Sequence, residues 1–143
     1  MTKKNKIIFV LGLFLFIVAG WTVFKWWAFR LYDEVSPAVE SFADEFYARY
    51  NNQDYAYIYN NLTDQEYRET HGFDDLNVLL LEVQRGAGKY KERELYSWRF
   101  HWEGKETYFY VEYDVTYEKG TTNENFLLKK ENDSWLIDSY EFE

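Results

Sequence analysis

The side chain of this sequence most open to chemistry is Glu124, which lies in the run Glu124-Asn-Phe-Leu-Leu128. In a strand, residues two apart share a face, so Glu124 points the same way as the apolar Phe126 and Leu128. A carboxyl turned inward must be paired, hydrogen-bonded or protonated. It could serve as an acid or a ligand contact, or sit at a strand edge or end, or form an ion pair with an arginine such as Arg99. A second group is Tyr108, Tyr110, Glu112 and Asp114, which alternate with Phe109, Val111, Tyr113 and Val115. Tyrosines among carboxylates suit contact with another protein chain, and solvated sheet faces carry tyrosine as well. Metal chemistry has little to stand on. His71 and His101 are the only histidines, cysteine is absent, and no carboxylate near either histidine shows ligand spacing. No catalytic residue, metal ligand or cofactor site is assigned.

The elements that must position these residues follow from periodicity. Ser36-Pro37 reads as a helix start, serine as N-cap and proline at the first helical position. Val39, Phe42, Ala43, Phe46 and Tyr50 then make one apolar helical face to about Asn51. Tyr55–Tyr59 reads as a helical turn, and Thr63-Asp-Gln-Glu66 as a capping box for a short helix ending near His71-Gly72. Another helix, about Asp74 to Arg85, turns Leu76, Leu79, Leu80 and Val83 inward, with Gly86 at its C-cap. After Gly88 the period becomes two. Tyr96, Trp98, Phe100 and Trp102 form an aromatic stripe, and turns at Glu103-Gly-Lys105, Lys119-Gly120 and Asn132-Asp133 separate four strands. Helices followed by strands predict an α+β domain with helices packed on one face of a four-stranded antiparallel sheet. Burial of both apolar faces predicts Phe46 against Trp98.

The start of the chain is of another kind. Ile7 to Phe24 is 18 residues without a charge, close to the roughly 20 that a spanning helix needs. Trp21, Trp26 and Trp27 follow where a signal peptidase requires small residues, and with Lys25 and Arg30 they form an interfacial belt. The organisation is therefore a basic tail 1–6, a transmembrane anchor 7–29, a joint 30–35 and a domain 36–143. Lys3, Lys4 and Lys6 against Lys25 and Arg30 place the N-terminus in the cytoplasm and the domain outside, periplasmic or extracellular. All 25 acidic residues and 11 of the 16 basic ones follow Arg30, a net charge of −14. Such a domain repels nucleic acid and anionic lipid surfaces.

The long first helix, Asn52-Gln-Asp-Tyr55, Leu81–Tyr90, Glu124–Glu131 and Trp135-Leu-Ile137 occur in an order that resembles the nuclear transport factor two-like, or cystatin-like, superfamily. The closer similarity is to small bacterial membrane-anchored or secreted members of unknown function. The resemblance covers residues 36–143 and implies a curved sheet wrapped around the first helix, the cone fold. That superfamily holds isomerases, hydrolases, dehydratases and non-catalytic binding modules, so fold alone does not choose among them. Its isomerase branch sets an aspartate base beside neutral O–H donors in an apolar cone. Tyr47, Tyr50, Asp114 and Asp138 supply such groups without matching that branch's motif, and fourteen tyrosines make Tyr–Asp pairs expected by chance. The leading expectation is a membrane-anchored binding or assembly module without catalysis, its partner another protein chain or a second copy. The ligand- or partner-binding residues are Tyr108, Tyr110 and Glu112 on the outward face and Glu124 as an acid or ligand contact in the cone. The alternatives are an isomerase- or hydrolase-type enzyme holding a small molecule in the cone, and an acidic immunity or inhibitor protein against a basic partner.

Overall fold

The computed structural model describes residues 3–143. Of the basic tail, Met1, Thr2 and the side chains of Lys3, Lys4 and Lys6 lie outside the described residues. The chain forms two compact units, Met1–Pro37 and Ala38–Glu143.

Helix α1 spans Lys3–Asn51. Within the first unit its Leu13, Phe14, Phe16, Val23 and Phe24 side chains are all exposed, which water penalises and hydrocarbon does not. The helix is long and apolar enough to cross a membrane. Lys25 lies over the Trp21 ring at 5.6 Å and Arg30 over Trp26 at 5.0 Å, cation–aromatic pairs suited to the head-group layer. The helix start expected at Ser36-Pro37 is not found, because Pro37 lies inside α1. Its missing N–H removes one bond, to the Asp33 carbonyl, and the rest of the helix tolerates that loss.

In the second unit Val39, Phe42, Ala43, Phe46 and Tyr50 are buried, as their spacing requires, and Tyr47 joins them. Asn51 ends α1 and takes up the edge of the sheet: its amide donates to the Tyr90 carbonyl at 3.0 Å and accepts from the Tyr90 N–H at 2.8 Å. The turn α2 (Tyr55–Tyr57) leads into a wider helical turn, Ile58–Leu62. Helix α3 (Gln65–Thr70) is capped one residue later than the capping-box reading has it. Asp64 supplies the cap, its Oδ1 accepting from the Tyr67 N–H at 2.7 Å, while Thr63 pairs with Ile137 of the last strand. Helix α4 (Phe73–Ala87) buries Leu76, Leu80 and Val83. It ends at Gly88 rather than Gly86, with φ +85°. A Cβ at Gly88 would stand 2.7 Å from the Glu118 carboxylate, so shape and backbone both require glycine there.

Strands β1 (Tyr90–Glu103), β2 (Glu106–Tyr117), β3 (Gly120–Glu131) and β4 (Ser134–Phe142) form one antiparallel sheet in chain order. Register shifts between Leu95 and Ser97 and between Leu127 and Leu128 bend the strands, as bulges do. The inner face carries Phe109, Val111, Tyr113, Val115, Phe126, Leu128 and Ile137, all buried. Phe46 meets Phe126 at 5.0 Å and Tyr140 at 5.5 Å, so its partners are on β3 and β4. Trp98, expected against Phe46, is half-buried and stacked on Phe109 at 6.1 Å. The aromatic stripe is interrupted too: the bulge turns Tyr96 out, 67% exposed.

Candidate functional site

The inner centre is built around Glu124, whose side chain has 0% exposure. Tyr47 of α1 donates its O–H to Glu124 Oε2 at 2.9 Å, and Tyr140 of β4 donates to the same oxygen at 3.0 Å. Tyr117 of β2 donates to Oε1. The expectation that Glu124 faces inward is met. Its partners are not the arginine weighed from sequence, since the Arg99 guanidinium lies over Tyr110, 4.2 Å from the ring centroid. Burial pushes the Glu124 carboxyl up from its ordinary value, against the pull of the three O–H donors. Burial and the neighbouring Glu124 charge push the Tyr47, Tyr117 and Tyr140 hydroxyls up as well, so all three stay protonated donors at neutral pH.

Rings close this centre on each side. Tyr47 stacks on Tyr90 with centroids 4.1 Å apart, Tyr140 packs on Phe126 at 4.8 Å, and Tyr50 meets Tyr117 edge-on at 5.5 Å. Tyr50 in turn donates to the Gly88 carbonyl at 2.8 Å. A second polar group secures the same helix: Arg93 Nη2 reaches Glu40 at 2.6 Å and Asp44 at 2.8 Å. Glu40 also accepts from the Tyr113 hydroxyl at 2.9 Å.

The opposite sheet face is different. A groove of about 540 Å³ runs across it, lined by Arg99, Tyr110, Asn125, Leu127, Ser139 and Glu141 among others. Register explains the set, because Arg99, Tyr110, Leu127 and Ser139 face one another across the four strands. Tyr110 is half-buried beneath Arg99. Burial and the nearby Glu112, Glu141 and Glu143 charges raise its hydroxyl. Glu112 accepts from Ser97 Oγ at 2.7 Å. Tyr108 corrects the expectation of two presented tyrosines, since it is only 6% exposed. Its hydroxyl donates to Glu106 at 2.7 Å, and Lys129 covers its ring at 5.7 Å. A side chain spent in this way offers little area to a partner. Of the two histidines, His71 is exposed and stacks on Tyr67 at 4.6 Å, while His101 lines the groove.

Two members of the inner centre escaped sequence reasoning as a set. Tyr47 stands four residues after Ala43 and eight after Val39, so helical spacing could have placed it inward. Tyr140 could not be found by alternation, because the bulge at Asp138, opposite Leu127/Leu128, shifts the β4 phase between Ile137 and Tyr140.

No protein-family model matches this chain, and no curated protein matches it.

Proposed function

We propose that this chain is a membrane-tethered binding module: α1 anchors it, residues 38–143 lie outside the cytoplasm, and the groove on the outer sheet face takes a basic segment of another protein. The observation that carries the reading is the contrast between the two sheet faces. The inner polar centre is enclosed, and its carboxylate already receives three hydroxyl groups. The groove is open and mixes an apolar floor at Leu127 with polar groups at Asn125, Ser139 and Glu141. Mixed composition of this kind suits a protein contact, and the net charge of −14 beyond Arg30 favours a cationic partner and speeds its approach.

The enzyme alternative would use Glu124 with its tyrosine donors, which is the acid-and-donor arrangement that proton abstraction requires. In this geometry those donors point at the carboxylate and not at a position where a substrate oxygen would stand. An inhibitor of a basic protein is a special form of the binding reading and uses the same surface.

The test is cross-linking from membranes with a photoreactive residue in place of Tyr110 in the full chain. A specific adduct is expected, weakened by added salt and lost with Leu127→Arg. An adduct pattern that Leu127→Arg leaves unchanged, or no adduct at all, would remove the groove from the proposal.

A further inference from the structure

Beside β4, the start of α3 joins the sheet, Thr63 pairing with Ile137 and the Asp64 N–H donating to the Ile137 carbonyl at 2.9 Å. Asp64, Glu66 and Asp138 each place one carboxylate oxygen within 4.8 Å of the other two. Three anions so close repel one another unless a positive charge joins them. Asp64 is the informative member, with 0% exposure. Its Oδ1 is occupied by the Tyr67 N–H, and its Oδ2 is buried with no hydrogen-bond donor among the described residues. A buried carboxylate oxygen without a donor is costly, and here it belongs to a residue directed at two further carboxylates.

We infer that Asp64, Glu66 and Asp138 form a calcium site, occupied when the domain meets millimolar calcium. Carboxylates alone are hard donors, which suit calcium or magnesium and not the softer transition metals. The donor set favours calcium, which takes roughly six to eight oxygens in flexible geometry, whereas magnesium keeps several waters and binds through about one or two carboxylates. Asp64 closes the inner side, and the exposed Glu66 and half-buried Asp138 leave the outer side to water, which completes the shell.

Lys129 is the neighbouring cation and sets the affinity. Its Nζ is held by Glu106 at 2.9 Å and stands 3.7 Å from Glu66 Oε2. It relieves part of the repulsion without satisfying Asp64, and Glu66 is free to turn from it to a bound ion. A site with three carboxylates next to a lysine belongs with the weak calcium modules of external proteins, with dissociation constants of roughly 10⁻⁴–10⁻³ M. The inference does not depend on the partner proposed for the groove.

The experiment uses the full chain in detergent, stripped with EGTA, with melting followed against calcium chloride, magnesium chloride and sodium chloride at matched ionic strength. At tenfold excess over its dissociation constant, calcium should shift the folding equilibrium about elevenfold and raise Tm by several degrees. Magnesium should do less, and sodium chloride least. Glu66→Gln and Asp138→Asn should fold and lose the calcium response; Glu66 is exposed, so its variant keeps the core intact. Isothermal titration should give one calcium per chain for the wild type. No calcium response would overturn the site. An equal response in both variants would overturn it too, since it would then be general screening of an acidic domain. A wild type that matches Asp138→Asn once acidified, with no heat of calcium binding, would assign the cluster to a shared proton and refute the proposal.

Discussion

Removing single hydroxyl groups around Glu124 tests whether the inner centre is an acid held by its donors. Tyrosine to phenylalanine keeps the ring and its packing, so the change isolates the hydrogen bond. Tyr117 donates to Oε1, whereas Tyr47 and Tyr140 share Oε2. Tyr117→Phe therefore strips a buried carboxylate oxygen of its donor, and Tyr47→Phe or Tyr140→Phe leaves one donor in place. A hydrogen bond to a charged group contributes about 1.5–3 kcal/mol. The Tyr117 variant should cost about 2–3 kcal/mol and each of the others about 1–1.5 kcal/mol. Glu124→Gln removes the charge and keeps an acceptor, so Tyr117→Phe in that background should cost only about 0.5–1.5 kcal/mol. The coupling expected between the two positions is then about 1 kcal/mol or more. Urea unfolding of the full chain in detergent, followed by tryptophan fluorescence, measures all four variants and the double mutant. Equal costs for the three tyrosines, within about 0.5 kcal/mol, would refute the asymmetric cradle. Strict additivity with Glu124→Gln would refute the role of the charge.

Phe46→Ala removes a fully enclosed ring from between α1, β3 and β4, and should cost about 3–5 kcal/mol in the same unfolding assay; a loss below about 1 kcal/mol would place the ring outside the core. The Asp138 carboxyl is pushed up to about 6, first by burial and then by the Asp64 charge. A raised carboxyl favours the folded state while it holds its proton, and that contribution is lost as pH rises from about 4 through 6. In cation-free buffer Asp138→Asn should therefore be more stable than the wild type at pH 7.5, and the difference should vanish near pH 4; thermal melts across that range check it. The anchor reading requires a purified chain of full-length mass that needs detergent, with the acidic domain cut by protease added outside intact cells or spheroplasts. A mature N-terminus near Gly20 would overturn the anchor, and protection from protease would reverse its orientation.

Local patterns were enough for the elements. Charge-free length marked the apolar segment, because spanning hydrocarbon needs a run of residues and no tertiary partner. Alternation and turn residues located four strands and three hairpin turns, and the inward phase of Glu124 came with them, since a side chain's face depends only on its place in the pleat. Local pattern failed where a neighbour in space competes with it. Pro37 looked like a boundary because its own geometry disfavours a helix interior, yet the residues around it supply enough helical bonding. Tyr108 looked exposed because alternation cannot show that Lys129 lies across its ring. Tyr140 could not be phased because one bulge on β4, at Asp138, resets the face of every later residue on that strand. Sequence named an inward acid. Only the fold could choose its partners, because the three tyrosines come from a helix and two strands up to 77 positions away, and packing alone brings their hydroxyls onto one carboxylate.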